Sequence, residues 1–312
     1  MPDFGDVRAL LQRAQQPSWA LWVELCTLCE GWANADEFEH VVRPYVHAHT
    51  ARWEWDESLM AAPRSWVERI ARGEGAPVGA RLLKKLDLYD RGVGDEALEH
   101  ALAHGHLLHL RQLDLSQNAV GDVGAHALAR SGDQLGLLRR LDLSGNVVGA
   151  PGWSDLCASH GLTGVKELRA RGNPLGVGER EERAHGTLRP EVLVLDESNL
   201  GEGGAAWALR QLDLSRLGDL RVRRCNIDAG GFEELLDELD DAPLRRLEFS
   251  GNRVGEDGVD ALRAARWLGD LEHLRAYEIG PSRDAMRRLA RDPRASTAVR
   301  REAASAARGH YW

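Results

Sequence analysis

Short segments in which leucines alternate with polar residues recur along this chain at a nearly constant spacing. The three clearest copies can be laid over one another residue by residue: LRQLDLSQNAV from Leu110, LRRLDLSGNVV from Leu138 and LRRLEFSGNRV from Leu244. With weaker copies included, units start at residues 83, 110, 138, 165, 190, 217, 244 and 271, which lie 27, 28, 27, 25, 27, 27 and 27 residues apart. A spacing kept over seven intervals indicates a repeat architecture, and we number the units as repeats 1 to 8.

Each repeat carries the pattern of a short strand followed by a turn and a helix. In repeat 2, Leu113 and Leu115 alternate with Asp114, so the leucines are predicted to point into the core and the aspartate away from it. Asn118 is predicted to bond backbone groups that the turn leaves unpaired. One repeat cannot bury its leucines alone, so neighbours must stack. Because helices are wider than strands, the stack must curve with a parallel sheet on its inner side.

The motif L-x-x-L-x-L-x-x-N resembles the leucine-rich repeat, and the resemblance covers residues 83–292. The step of 27–28 residues and the helix opening G-x-x-G-x-x-x-L, as in Gly121 to Leu128, resemble the ribonuclease-inhibitor subclass. The resemblance implies an α/β leucine-rich-repeat solenoid of about eight β-α repeats around a curved parallel sheet. It implies binding of another macromolecule, but it names no ligand.

Four repeats depart from the asparagine of this motif. They carry Arg91, Ser198, Cys225 and Ile279 at that position. In this family a cysteine such as Cys225 is a tolerated substitute, because a buried thiol can also donate a weak hydrogen bond, and atypical residues are expected in the terminal repeats. The segment LRQLDL from Leu209 imitates a strand motif but breaks the step, so we predict that it lies in the convex helix of repeat 5.

Residues 1–80 lack the repeat pattern and are predicted to form a small all-α domain that also covers the leucines of repeat 1. Helical spacing recurs around Val7, Trp19 and Phe38, a fourth helix is predicted from Pro63 to Gly73, and Pro44 is expected to kink or end the third. The segment resembles helical companion segments that precede repeats in some bacterial proteins. Six of the ten tryptophans lie here: Trp19, Trp22, Trp32, Trp53, Trp55 and Trp66.

The remaining boundaries follow from the last repeat. Residues 81–292 are predicted to form the repeat domain, which closes with a helix capped by Ser282. Residues 293–312 are basic and alanine-rich and are predicted to form a tail or a cap helix.

Composition excludes several classes of protein. A net charge of −9 disfavours non-specific nucleic-acid binding, which depends on cationic groups, and no stretch of eighteen apolar residues predicts a membrane span. The start MPDFGDVRAL lacks the basic region of a secretory signal, and four cysteines in 312 residues are typical of reduced thiols rather than a disulfide framework. We therefore predict a cytoplasmic protein, a monomer when free, with no nucleic-acid or membrane partner and no cofactor.

Two groups of residues have the composition of a metal site. Cys26 and Cys29 precede several histidines, but Cys26 falls on an apolar helical face, where a thiol behaves as a small hydrophobic group. His100 and His104 lie one helical turn apart, and the same stretch holds His106 and His109. No acidic or thiol partner at a fitting spacing completes the histidine set, so histidines on the convex surface are the ordinary interpretation. We predict no metal site.

The glycines of repeat 1 resemble a dinucleotide-binding fingerprint. Gly92-x-Gly94-x-x-Ala97 follows a predicted strand and opens a helix. Glycines occupy the same place in other repeats, where they let the chain turn into its helix. We therefore interpret them as turn glycines, and we predict no catalytic residue and no enzyme activity.

Side chains at the third, fifth and seventh positions of each repeat are predicted to project from the concave face. The fifth and seventh positions give an acidic column in repeats 1–3, and arginines dominate from repeat 4 onward. Such a split charge distribution suits a protein partner with complementary charge, although opposite charges on neighbouring repeats can also simply pair with each other. The predicted partner-binding residues are Asp87, Tyr89, Asp114, Asp142, Arg169, Arg171, Asp196, Arg221, Arg223, Glu248, Arg275 and Tyr277.

These features lead to three hypotheses about function. The first is a non-catalytic protein-binding module, an inhibitor or a sensor that binds a protein partner of unknown identity on its concave face. The second is a two-part regulatory protein whose helical N-terminal domain is the effector and whose repeats recognise or restrain it. The third is a metal-dependent enzyme that uses His100 and His104, or Cys26 and Cys29.

Overall fold

The computed structural model describes residues 3–14, 16–51, 60–132, 134–176, 186–280 and 283–308. Within them, eight short strands form one parallel sheet, and their order in the sheet is their order along the chain. The strands are β1 (Lys85–Asp87), β2 (Gln112–Asp114), β3 (Arg140–Asp142), β4 (Glu167–Arg169), β5 (Val192–Val194), β6 (Asp219–Arg221), β7 (Arg246–Glu248) and β8 (His273–Arg275). One strand from each repeat confirms the predicted leucine-rich-repeat solenoid.

The central leucines of the strands form one continuous row. Leu86 pairs with Leu113, Leu113 pairs with Leu141, and the same register holds to Leu274. Every leucine in the row is 4% exposed or less. Burial of one such side chain contributes about 1.5–3 kcal/mol. Because the neighbouring repeat supplies the wall against which each leucine is buried, the stability of one repeat depends on the next.

Helices follow the strands and cover one face of the sheet. They are α6 (Asp95–Leu102), α7 (Asp122–Arg130), α8 (Ala150–Ala158), α9 (Gly204–Arg210), α10 (Ala229–Glu238), α11 (Gly255–Ala264) and α12 (Arg283–Ala290). The corresponding stretch of repeat 4, residues 177–185, lies outside the described residues, as does Ser282 with its predicted cap. In the part of the chain that is described, no helix is long and apolar enough to cross a membrane.

The segment from Leu209 that imitates a strand motif forms no strand. Its first two residues end α9, and Leu214–Arg216 forms a short 3-10 helix. The prediction that this segment lies on the convex side is therefore correct for its beginning, and the 27-residue step was the better guide than the local motif.

A row of asparagines joins the turns of neighbouring repeats. The side-chain amide of Asn146 donates to the carbonyl oxygens of Leu115 at 2.8 Å and Leu143 at 2.9 Å, while its Oδ1 accepts from the backbone N–H of Val120 at 2.9 Å. These bonds satisfy backbone groups that would otherwise be buried without partners, as the sequence predicts. Equivalent bonds are made by Asn118, Asn173 and Asn252.

Serine and cysteine replace this asparagine in repeats 5 and 6. The Ser198 hydroxyl donates to the carbonyl of Ala170 at 3.0 Å, and the Cys225 thiol lies 3.1 Å from the carbonyl of Leu195. Both side chains are fully buried. The expectation that a buried thiol can take the place of the amide is confirmed at Cys225.

The N-terminal region is helical, as predicted, with α1 (Phe4–Arg13), α2 (Trp19–Glu30), α3 (Ala35–Glu37), α4 (Arg43–Ala51) and α5 (Arg64–Ala71). A π-helical segment, Phe38–Val42, connects α3 to α4 without a break. Pro44 therefore does not end the third helix, which continues to Ala51. The backbone N–H of Arg43 already bonds the carbonyl of Phe38, five residues back, and this wider turn precedes the proline that cannot donate.

Both ends of the sheet are covered. At the first end, Ala61 forms a parallel bridge with Lys85 of β1, and the Trp22 indole N–H donates to the Ala61 carbonyl at 2.7 Å. At the last end, α13 (Thr297–Ala307) lies beside β8 and buries Val299 and Ala303. This helix stands where the repeat step would start a ninth unit, at residue 298.

Candidate functional site

The candidate site is the sheet face opposite the helices. Packed helices lie about 8–10 Å apart, whereas neighbouring strands lie about 4.8 Å apart. The helical side is therefore the longer, convex one, and the opposite face of the sheet is concave. The side chains that alternate with the buried leucines occupy this face, so the third, fifth and seventh positions of all eight repeats meet there.

An acidic column occupies the first three repeats. Asp87, Asp114 and Asp142 are partners in register on β1, β2 and β3, so their backbones are about 4.8 Å apart. Lys85 lies 3.6 Å from Asp87. In the described part of the chain, no basic side chain pairs with Asp114 or Asp142. Three carboxylates thus line up, and among the described residues only Asp87 has an ion-pair partner.

The turn that follows each of these strands holds its carboxylate in place. Asp114 accepts the backbone N–H of Ser116 at 2.9 Å, and Asp142 accepts that of Ser144 at 2.9 Å. Both carboxylates remain partly exposed. Tyr89, at the seventh position of repeat 1, is 54% exposed and adds an aromatic surface beside the column.

The arginines at the fifth position of repeats 4 and 6 are paired within the chain. Arg169 bonds Glu167 through its Nε at 2.6 Å, and Arg221 bonds Asp219 with two nitrogens at 2.9 and 3.2 Å. These two acidic partners stand at the third position of the same strands as the arginines. The pairing of opposite charges that the sequence left open as an alternative is therefore present on this half of the face.

Two acidic residues of the predicted site are buried beneath the arginines. Asp196 is 1% exposed and accepts from the backbone N–H, the Nε and a terminal nitrogen of Arg223 at 2.7–2.9 Å. Glu248 is 7% exposed and lies 3.6 Å from Arg223 and 3.9 Å from Arg275. The hydrogen bonds that Arg223 donates to Asp196 raise the pKa of Arg223, so this guanidinium stays charged. Asp196 holds Arg223 in place, and Glu248 adds a second negative charge beneath it.

The eighth position of every repeat has a positive φ angle. Gly145, Gly172 and Gly251 adopt it freely, but five other repeats carry a side chain there, which costs about 1–2 kcal/mol each relative to an ordinary conformation. These side chains form a rim beside the concave face: Asp90, Gln117, Glu197, Arg224 and Glu278. Backbone strain of this kind concentrates at functional sites.

A groove of about 400 Å³ lies at this rim over repeats 4–8, and we call it the arginine groove. Gly251 has no side chain, and the stem of Arg224 lies across that glycine in the space this leaves. Arg171 pairs with Glu197 on one side at 2.9 and 3.0 Å. The charged and aromatic side chains that line the groove are Arg171, Arg223, Arg224, Arg275, Tyr277, Glu197, Glu248 and Glu278.

Several residues of this surface were not singled out from the sequence. Glu167 and Asp219 stand at the third position, and Arg224 and Glu278 stand at the eighth. The sequence could have indicated the third-position residues, because the third position alternates with the leucines in the same way as the fifth. It could not have indicated the eighth-position residues. Their place on the surface depends on a positive φ angle, and in the sequence only the glycines at this position in other repeats point to it.

The histidines of repeat 1 join it to the N-terminal region. His106 Nδ1 lies 2.7 Å from the carbonyl oxygen of Ala76, and His109 Nε2 lies 3.1 Å from a carboxylate oxygen of Glu39. Burial lowers the pKa of both imidazoles. These two histidines thus contact the N-terminal region and are not the convex surface groups expected, while His104 is exposed.

The cysteine pair does not fit a metal site. Cys26 and Cys29 are fully buried in α2, and burial raises the pKa of Cys29 to about 12 and that of Cys26 well above its ordinary value. A zinc ligand must be a thiolate, which this environment disfavours. Among the described residues, no group of three or more His, Cys, Asp or Glu side chains could hold a metal ion.

The sequence is similar to known leucine-rich repeats in three of its repeats. Residues 106–129, 137–157 and 242–262 match a family model described as leucine-rich repeat. No curated protein matches the chain. Among solved structures, a protein from Bacteroides fragilis shares 14% identity over 63% of this chain and 67% of that one, with a TM-score of 0.37. The family match falls in repeats 2, 3 and 7, where the motif is most regular, and it supports a leucine-rich-repeat protein.

Proposed function

We propose that this chain is a non-catalytic protein-binding module whose concave face receives a protein partner. Leucine-rich repeats suggest protein binding in general, and the acidic column gives the partner's chemistry. An inhibitor or a sensor that holds one partner in this way needs no catalytic group of its own. We assign it to the cytoplasm, because its four cysteines are unpaired and buried.

The single observation that carries the proposal is the in-register alignment of Asp87, Asp114 and Asp142. Like charges directly opposite each other on neighbouring strands reduce stability. The fifth-position charges of Arg169 and Arg221 are paired with acidic side chains, whereas Asp114 and Asp142 have no basic partner among the described residues. A basic surface on a partner would relieve the repulsion, and the exposed ring of Tyr89 supplies an aromatic contact of the kind found at the centre of interfaces.

The test neutralises the column without changing its shape. In the triple variant Asp87→Asn, Asp114→Asn, Asp142→Asn, each amide oxygen can still accept the turn N–H that the carboxylate accepts now. The control, Glu233→Gln, Glu234→Gln, Asp237→Asn, removes three exposed carboxylates from α10 on the convex side. Both variants therefore change the net charge equally.

Each immobilised protein is exposed to lysate of its source cells, and retained proteins are identified by mass spectrometry. We expect one protein to be retained by the unmodified chain and by the control, but retained at least tenfold less by the triple variant, because several charge contacts are lost together. Retention by the unmodified chain should also fall with added salt. Equal retention by all three chains would show that the acidic column is not the docking surface.

A further inference from the structure

Two guanidinium groups of the arginine groove have no hydrogen-bond acceptor among the described residues. Arg224 lies 3.9 Å from Glu278, and Arg275 lies 3.9 Å from Glu248, which is too far for a hydrogen bond. Their side chains are 67% and 64% exposed. By contrast, Arg223 is committed to Asp196 through short bonds. The groove therefore presents two guanidinium groups whose N–H donors still face solvent.

The frame of the groove fixes where these two groups project. Arg224 is held in the left-handed conformation at φ 50°, and its stem crosses Gly251 toward repeat 8. Arg275 leaves β8 one repeat beyond, above the buried carboxylate of Glu248. Tyr277 forms the adjoining wall. The groove thus has two donor groups from different repeats and an aromatic side.

Guanidinium groups are planar forks that match the oxygens of a phosphate or a carboxylate. A phosphate presents three oxygens and close to two negative charges, so it can accept hydrogen bonds from more than one guanidinium group. A carboxylate presents two oxygens and one charge. We infer that the arginine groove binds an oxyanion-bearing side chain of the protein partner, and a phosphorylated side chain more tightly than an acidic one.

This inference relies on the proposed function only for the statement that the ligand belongs to a polypeptide. The acidic column and the arginine groove lie on different repeats, so each can be tested without the other. Loss of oxyanion binding would leave capture through the acidic column unaffected.

The carboxylate of Glu278 lies near Arg224 and competes with an incoming oxyanion for this guanidinium group. Removing this charge in Glu278→Gln should release Arg224 and strengthen binding by about three- to fivefold, the scale of one exposed ion pair. A gain of binding cannot result from unfolding. Arg224→Gln and Arg275→Gln should each weaken binding about tenfold. Arg8→Gln, on the exposed face of α1, is the matched control and should change nothing.

The probe is a fluorescent glycine-serine peptide with one central phosphoserine, compared with the same peptide carrying glutamate or unmodified serine there. Fluorescence anisotropy at low salt is expected to rank the affinities in the order phosphoserine, glutamate, serine. The inference is overturned if the phosphoserine and serine peptides bind alike. It is also overturned if Glu278→Gln weakens binding, or if Arg8→Gln loses as much affinity as Arg224→Gln.

Discussion

The two ends of the solenoid are closed by different means. At the N-terminal end, the contact with repeat 1 combines buried apolar side chains with the ionisable groups of Glu39, Arg81 and His109. At the C-terminal end, α13 covers β8 with small apolar side chains such as Val299 and Ala303. The difference teaches that the helices covering a leucine-rich edge can bury ionisable groups at the contact or only small apolar side chains. Only the first cover depends on the protonation of its residues in the neutral range.

The largest effect is expected when α13 is removed by ending the chain at Pro293. This exposes the outer edge of β8 and the apolar groups that Val299 and its neighbours cover, at a cost of about 3–6 kcal/mol. A free strand edge also favours association with another chain. Urea unfolding should show the loss of stability, and light scattering should show self-association.

A milder variant separates the cap from simple shortening of the chain. Val299→Ala keeps the helix but leaves a small cavity, which should lower the free energy of unfolding by about 2 kcal/mol. This variant should remain a monomer. A chain ending at Pro293 that stays monomeric and equally stable would mean that α13 is not a cap.

A second, smaller effect is expected at the N-terminal end. Glu39 accepts from Arg43 at 2.7 Å and from Arg81 at 3.3 Å, and its carboxylate lies 3.1 Å from His109. Glu39→Ala would leave Arg81, whose side chain is 12% exposed, without its carboxylate. We expect the free energy of unfolding to fall by about 2–3 kcal/mol. Hydrogen exchange should become faster in α2 and α4 than in β8.

Glu39→Gln keeps an acceptor oxygen in the same place and should cost less than Glu39→Ala. If the two variants lose the same free energy of unfolding, the effect comes from packing and not from the acceptor oxygen. Loss of exchange protection throughout the chain would contradict the view that the N-terminal contact is a local one.

The smallest effect concerns pH. Burial lowers the pKa of His106 and His109 in the folded chain, so as the pH falls the unfolded chain binds protons first. Their contribution to stability is complete above the unfolded value of about 6.5 and is lost as the pH falls toward the lower folded values. At the other end, hydrogen bonds from Arg294 lower the pKa of Asp292 to about 2 from its ordinary 3.8. That contribution is present above pH 3.8 and is lost only as the pH falls toward 2.

Unfolding measured from pH 7.5 to 5 should therefore show a slope to which His106 and His109 contribute and Asp292 does not. His106→Asn with His109→Gln retains a donor nitrogen at each contact and should flatten the slope. His100→Asn with His104→Asn alters exposed histidines of the same region and should leave it unchanged. A slope that persists in the first double variant would place the titrating groups elsewhere.

The fold was predictable because one physical constraint repeats eight times. A leucine row such as Leu86, Leu113 and Leu141 has only one way to be buried. The repeat also indicated that the thiol of Cys225 takes the place of the asparagine amide. Pro44 was harder, because a π-helical turn before it absorbs the missing donor. The helix at Thr297–Ala307 was only one of two alternatives, since a cap depends on the surface it must cover.

The candidate surface was predictable in outline but not in detail. The fifth and seventh positions gave the location of Asp114 and Arg223, because strand alternation determines which face they occupy. The sequence could not tell that Asp196 is buried beneath Arg223. Which charges pair depends on side-chain rotamers and on the third and eighth positions, and these vary from repeat to repeat without a periodic signal.

The row of asparagines has a consequence for how the solenoid bends. An amide has two protons to donate, whereas the hydroxyl of Ser198 and the thiol of Cys225 have one each. The row therefore has one donated proton fewer at repeats 5 and 6, where the bonds of Arg223 to Asp196 also join the two repeats. The acidic column lies before this point, and most of the arginine groove lies at or beyond it. A partner long enough to touch both surfaces would span this point, and so would set the curvature of the molecule that grips it.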